Sequence, residues 1–338
     1  MDKDKKKGVV VLNEAKNYQY DMFSTFFPSN KRKSIDYSNA IAGWDLADKY
    51  TASKAKIKES NLVVQELVKV RNNNHLTDVE IETTIKPAII VVKSITYFFY
   101  PSDNEELLEQ ILRKLFIQNK KNAYHTDDYS LLCLTKGQLE REFKLLGKTR
   151  SYAQINLYLE ILNSCHVEIR FNGVLKHSGP IISTNIEVDK DDDKFYIQLP
   201  LFLTASINSS SFSQYYFPSN KMCLLARYMV KRFTFLWTNA NYTQDENGRL
   251  YRYIFYYSDL LATGLLPERI DKAKIAIIKA FKDLEKNGFI IPYDNSNTKF
   301  FYNGNKMIEI EYKLTATYSY VKDLKASSAR KNKLNLHP

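Results

Sequence analysis

An α+β fold is expected from three features of the sequence. The order helix, strand, helix, helix, two-stranded hairpin occurs twice; Asn-Gly pairs mark a hairpin in each copy; and glycine or proline punctuates the helices. The division that follows is a less regular N-terminal arm or subdomain over 1–87, a first unit over 88–205, a second over 206–320 and a basic tail over 321–338.

Composition agrees with a folded chain of this size. The 338 residues are 44% apolar and 26% charged, enough for two domains at about 100–200 residues each. Forty-nine lysines and arginines oppose 38 acids, a net charge of +11, which points to a polyanionic partner. The opening Met1–Leu12 has only Val9–Leu12 as an apolar run, short of the roughly 7–15 apolar residues of a signal peptide. Ala88–Tyr100 is interrupted by Lys93 and bounded by Pro87 and Pro101, too short to span a bilayer, which takes about 20 residues. The three cysteines, Cys133, Cys165 and Cys223, form no close pair, against a disulfide scaffold or structural zinc site and in favour of a reducing cytoplasm.

In the arm, the cluster Tyr18, Tyr20, Phe23, Phe26 and Phe27 precedes the basic Lys31-Arg32-Lys33, and a helix is expected over Lys49–Lys69. A strand Ile89–Tyr100 follows, then a helix Asn104–Gln118. Ser102 or Asp103 caps that helix, Glu105 and Glu106 sit in its first turn, and Leu107, Leu108, Ile111, Leu112 and Leu115 form its stripe. The strand Leu131–Leu134 leads into the helix Lys136–Leu145, where Thr135 and Gln138 have capping-box spacing. After Gly147 come a helix Ser151–Ser164, a hairpin His166–His177 turning at Asn172-Gly173, and a second pair, Ile181–Val188 with Lys194–Leu199.

The order recurs in the apolar helix Asn220–Trp237, the strand Tyr251–Tyr257, a short helix Asp259–Leu266 capped by Ser258, and the long helix Glu268–Lys286 between Pro267 and Gly288. Phe289–Tyr293, the polar tip Asp294–Lys299, Phe300–Tyr302, Asn303-Gly304 and Met307–Leu314 then form a β-wing. Helix, strand, helix, helix, wing is the order of a winged helix, so the expectation is two of them in tandem.

The two third helices differ in their surfaces. On Glu268–Lys286, Ile270, Ala273, Ile277, Phe281 and Leu284 fall on one side and Lys272, Lys279, Lys282 and Lys286 on the other, with Ile275 intruding among the lysines. A solvated lysine face is the ordinary fate of such a helix. The wing that follows moves the balance toward a major-groove reader. Arg269, Asn295, Asn297, Lys299 and Lys306 join the lysines as candidate DNA contacts. Residues 251–338 carry 15 basic and 9 acidic side chains, +6, against 18 and 17, +1, over 102–250. On Ser151–Ser164, Ile155, Leu159 and Leu162 face one way while Leu157 and Ile161 face nearly the other. Such a helix must be covered twice, by a neighbouring domain or a second copy of the chain. Leu157 and Ile161 are therefore candidate interface residues, and Lys148 and Arg150, in the preceding loop, candidate backbone contacts.

No catalytic or metal constellation is legible, and a non-enzymatic protein without cofactor or metal is expected. Leu146-Gly147-Lys148-Thr149 lacks the P-loop's first glycine, since Glu142 stands there. Asp189, Asp191 and Asp193 mimic a calcium loop, but Lys194 and Pro200 replace its glycine and glutamate. The five histidines include no His-x-His or His-Glu-x-x-His, which argues against a relaxase-type nicking enzyme.

From Asn104–Gln118 through His166–His177, and from Tyr253 through Tyr257-Ser258-Asp259-Leu260-Leu261 and Lys286-Asn287-Gly288-Phe289-Ile290 to Lys313, the chain resembles the plasmid (theta-type) replication initiators of the two-winged-helix Rep family. The resemblance implies binding to double-stranded repeats at a plasmid or phage origin and opening of an AT-rich segment. It also implies recruitment of a host initiator and replicative helicase, autorepression as a dimer through the first unit, and a nucleoid-associated bacterial location without membrane contact. The first ~85 residues depart from the family's opening. A winged-helix transcriptional regulator and a nucleic-acid binder without sequence preference are the competing readings.

Overall fold

The computed structural model describes residues 37–52, 57–58, 67–72, 80–92, 94–118, 123–125, 130–189, 192–201, 203, 213–216, 222–239, 252–304 and 306–335. The aromatic cluster Tyr18–Phe27 and the basic Lys31-Arg32-Lys33 lie outside them. Two hydrophobic cores organise the α+β chain, one from Ile41 to Leu203 and one from Met222 to Leu324; Leu224 and Phe235 pack against both.

Among the described residues of the N-terminal region, several pack in the first core. Strand β1 (Tyr37–Ala40) enters the single-turn helix α1 (Ala42–Asp45), and Ile41, Trp44, Leu46, Ala47 and Tyr50 are buried. Among the described residues the helix expected over Lys49–Lys69 does not appear: Ile57–Lys58 is strand β2 and Leu67–Asn72 is strand β3. The β-branched Val68 and Val70 suit a strand, and Lys69 donates from it to the carbonyls of Tyr50 at 2.8 Å and Thr263 at 2.7 Å. Strand β4 (Glu80–Lys86) follows. The single strand read at Ile89–Tyr100 is in fact a hairpin of β5 (Ala88–Val92) and β6 (Ile95–Phe99), folded at Ser94 with φ +63°.

Helix α2 (Asp103–Gln118) starts where its cap predicts. Glu105 Oε2 accepts from the backbone N and hydroxyl of Ser102 at 2.9 and 2.7 Å. Strands β7 (Ala123–His125) and β8 (Ser130–Thr135) precede helix α3 (Lys136–Leu145), at whose start Thr135 N donates to Gln138 Oε1 at 2.8 Å. Helix α4 (Tyr152–Ser164) carries the same box between Ser151 and Gln154. Strands β9 (His166–Phe171) and β10 (Val174–Gly179) turn at Asn172 and Gly173, φ +46° and +76°, the left-handed pair that Asn-Gly supplies.

That hairpin is not the one that closes the first unit. It extends a sheet of order β10-β9-β4-β3, with Ile85 opposite Val167, both fully buried. The next hairpin, β11 (Ser183–Asp189) and β12 (Asp192–Gln198), pairs with the strand ahead of α3 in the order β11-β12-β8-β7, with Ile197 opposite Leu132.

Strand β13 (Ser213–Tyr216) pairs back with β1. The second unit comprises α5 (Leu224–Asn239), β14 (Arg252–Tyr256), α6 (Tyr257–Ala262), α7 (Ile270–Lys286), β15 (Thr298–Asn303) and β16 (Lys306–Thr315). Its sheet order, β14-β16-β15, repeats β8-β12-β11 of the first unit: in both, the strand between the first two helices pairs with the last strand of the hairpin. Ser258 does not cap α6, which begins at Tyr257; its backbone N donates to Glu309 Oε1 at 3.1 Å and its hydroxyl binds Glu309 Oε2. The expected basic tail is largely helix, α8 (Tyr318–Asn335), which buries Tyr320, Val321 and Leu324 in the second core.

Candidate nucleic-acid interface

Helix α7 has two chemically opposite sides. Ala273, Ile277, Ala280, Phe281 and Leu284 are buried, and Phe281 meets the rings of Tyr293 and Tyr312 at 4.7 and 5.6 Å. Lys272, Lys279, Lys282 and Lys286 are exposed, in steps of three, four and seven residues that keep them on one stripe about 21 Å long at 1.5 Å per residue. Lys286, in the last turn, also complements the helix dipole. Of the three acids of the same helix, Asp271 is exposed in the first turn and the other two are turned to structural work. Asp283 Oδ2 accepts from Cys223 N at 2.7 Å, and Glu285 Oε1 from Tyr293 N at 2.6 Å. Arg269 lies exposed at the cap position. Lys274 departs from the stripe: it is partly buried, with its Nζ 5.3 Å from the Phe300 ring centre.

The segment after α7 presents the expected polar tip. Asn295–Asn297 is a turn of 3-10 helix, capped by Asp294, whose Oδ1 accepts from Ser296 N at 2.8 Å. These hydrogen bonds hold the Asp294 carboxyl below its ordinary range. Asn295 and Lys299 are exposed and Asn297 is partly so; the Lys299 ammonium stands 4.8 Å from the Phe301 ring. The hairpin turns at Gly304 with φ +60°. Lys306 pairs through its backbone with Asn303; its side chain lies outside the described residues, as does Asn305. Phe300, Tyr302 and Ile308 are 44%, 60% and 59% exposed on the same hairpin, an apolar content that the polar tip did not announce.

The other candidates are placed differently. Lys148 pairs with Asp103 at 3.1 Å, and Arg150 donates to Asn104 Oδ1 at 3.0 Å and to Thr149 O at 2.9 Å. Both therefore tie the loop to the start of α2. Ile161 is buried in the first core and Leu157 packs partly buried against it. Helix α4 is covered from within the chain by α2 and α3 and also by β5 and β11. The doubly apolar pattern was real, and the chain itself covers much of both sides: Ile161 is buried and Leu157 partly so.

Between the units lies a cluster of buried charges. Arg227 of α5 donates from Nε to Glu106 Oε2 at 2.6 Å and also pairs with Asp103. Lys231 reaches Glu106 Oε1 at 2.7 Å and Asp45 at 3.6 Å. Arg113 grips Asp45 through two bonds of 2.8 Å. Glu109 accepts from Trp44 Nε1 at 2.6 Å and from the Tyr50 hydroxyl. Burial opposes ionisation of Asp45, Asp103 and Glu106, yet the cations beside them hold all three below their ordinary values. Lys49, buried against the Trp44 ring, is pushed down to about 8 by desolvation. The signal for this junction was present as Arg227, Lys231 and Arg232 on a mostly apolar helix.

Among the described residues no three His, Cys, Asp or Glu are grouped to hold a metal ion, and no helix is long and apolar enough to cross a membrane. Burial pushes the Cys165 thiol up to about 12, which keeps it from nucleophilic chemistry.

No protein-family model matches the chain, and no curated protein matches it in sequence. Among solved structures it is similar to domains 2 and 3 of RctB. A crystal structure of selenomethionine derivatives of these domains aligns with a TM-score of 0.45 and 8% identity, covering 81% of this chain and 98% of that one. A second crystal structure of RctB domains 2-3 aligns with a TM-score of 0.42 and 8% identity, covering 82% and 98%.

Proposed function

We propose that the chain is a sequence-specific, double-stranded-DNA-binding protein built from two winged-helix units, of which the second reads DNA. The observation that carries this reading is the exposed stripe Lys272, Lys279, Lys282 and Lys286 on a helix whose opposite side is anchored in a core. An anchored helix of this kind enters a major groove as a rigid body, and its ammonium groups replace counterions along the phosphates. The hairpin with Asn295, Asn297, Lys299 and Lys306 lies along the adjacent backbone, and Arg269 extends the contact at the helix start. The chain acts without metal or cofactor and is not an enzyme.

The resemblance to plasmid initiators adds the biological role: occupation of repeats at a plasmid or phage origin in the bacterial cytoplasm, with recruitment of a host initiator and helicase and repression of its own gene. Self-association as a dimer belongs to the same reading. Footprinting the purified protein on DNA flanking its own gene, across a salt series, tests the reading. Several evenly spaced protected repeats are expected. One protected promoter site would mean a regulator in place of an initiator, and uniform salt-sensitive coating would mean that the basic surface reads no sequence.

A further inference from the structure

Ile275 stands inside the cationic stripe, three residues after Lys272 and four before Lys279, with 69% of its surface exposed. Its neighbours Ala276 and Ile278 pack against the second core. One exposed isoleucine is unremarkable on a surface, but this one is in the second turn of the helix proposed to enter the groove. Residues in the N-terminal half of such a helix meet base edges, while flanking cations meet phosphates.

An isoleucine has nothing to offer the donors and acceptors that fill most of the major-groove edge, and would leave them desolvated and unpaired. The apolar feature of that edge is the C5 methyl of thymine. The lysines on either side favour a polyanion over an apolar protein surface as the occupant. We propose that Ile275 is a specificity-determining residue that packs on a thymine methyl group in the major groove. This inference rests on α7 being the DNA reader.

The test is selection of bound duplexes from a random library by the full chain, followed by replacement of each thymine in the selected site with deoxyuridine, which removes the methyl alone. Burial of one methyl predicts that one such replacement weakens wild-type binding about four-fold. Ile275→Ala, which keeps every lysine, is expected to bind the thymine duplex about as weakly as wild type binds the uracil duplex, and to be indifferent to the exchange. Its salt dependence is expected to be unchanged. A wild type indifferent to every thymine-to-uracil exchange, or an Ile275→Ala variant as sensitive as wild type, overturns the assignment while leaving the DNA reader standing. A change in solution mass on Ile275→Ala would show that the residue covers a protein surface, and would also overturn it. Absence of any selected sequence or duplex binding refutes the reader itself.

Discussion

Arg227 and Glu106 meet at 2.6 Å between the first helix of one unit and the first helix of the other, with 0% and 2% of their side chains exposed. Glu106 keeps its charge there because Arg227 and, on the other oxygen at 2.7 Å, Lys231 oppose the cost of burial. Arg113 does the same for Asp45 through both carboxylate oxygens. A buried pair of this kind adds little over a well-packed apolar replacement, but removal of one partner strands a charge, which costs about 3–5 kcal/mol.

Arg227→Met is therefore expected to destabilise the chain by about 3–5 kcal/mol, and Arg227→Met with Glu106→Leu by distinctly less, as read from urea unfolding at pH 7. The pH dependence has a definite sign. Asp45, Asp103 and Glu106 have folded-state values below their ordinary 3.8 and 4.5. Their contribution is present above those ordinary values and is lost as pH falls through the lowered ones. The double variant is expected to lose less stability between pH 5 and pH 3, since Glu106 no longer has a lowered value to give up.

Lys279→Ala with Lys282→Ala is expected to weaken DNA binding at every sequence. The slope of log affinity against log salt should become shallower by about 1.8, at 0.9 per phosphate contact. Both residues are exposed, so circular dichroism and solution mass are expected to stay the same; an unchanged salt slope would remove them from the interface.

Ile161→Ala is expected to cost about 2–5 kcal/mol of stability, because the side chain is 2% exposed inside the first core. Sedimentation of the folded fraction should match the wild type. Leu157→Asp should likewise lower the unfolding midpoint and not the mass.

The C-terminal helix gives a pair of truncations with opposite outcomes. The rings of Phe289 and Tyr320 meet edge-on at 4.7 Å, and Val321 and Leu324 are 2% exposed. A chain ending after Thr317 is expected to leave the second core open and lose cooperative unfolding. A chain ending after Ala326 should keep its midpoint and lose only salt-dependent affinity, since Arg330, Lys331 and Lys333 are gone.

What could be read from residues alone was what is settled within a few turns of chain. The start of α2 at Ser102–Asp103, the capping pair Thr135/Gln138, the Asn172-Gly173 turn, and the lysine and core faces of α7 all depend on neighbours up to about four residues away, where periodicity and hydrogen-bonding chemistry act directly. The double coverage of α4 was legible as a requirement, because two apolar sides both need burial; the identity of the second cover was not. The start of the strand, Leu67–Lys69, read as helix because short apolar runs carry no decisive period.

Local residue patterns were enough to set the α+β succession of elements and the charged surface of α7. The tertiary structure set the pairing of β9 with β4 and not with β8, the contacts of Lys148 and Arg150 with the start of α2, and the meeting of Arg227 with Glu106, 121 residues away. These choices depend on which distant groups can be desolvated together, and no local pattern encodes a partner that only chain folding brings within reach.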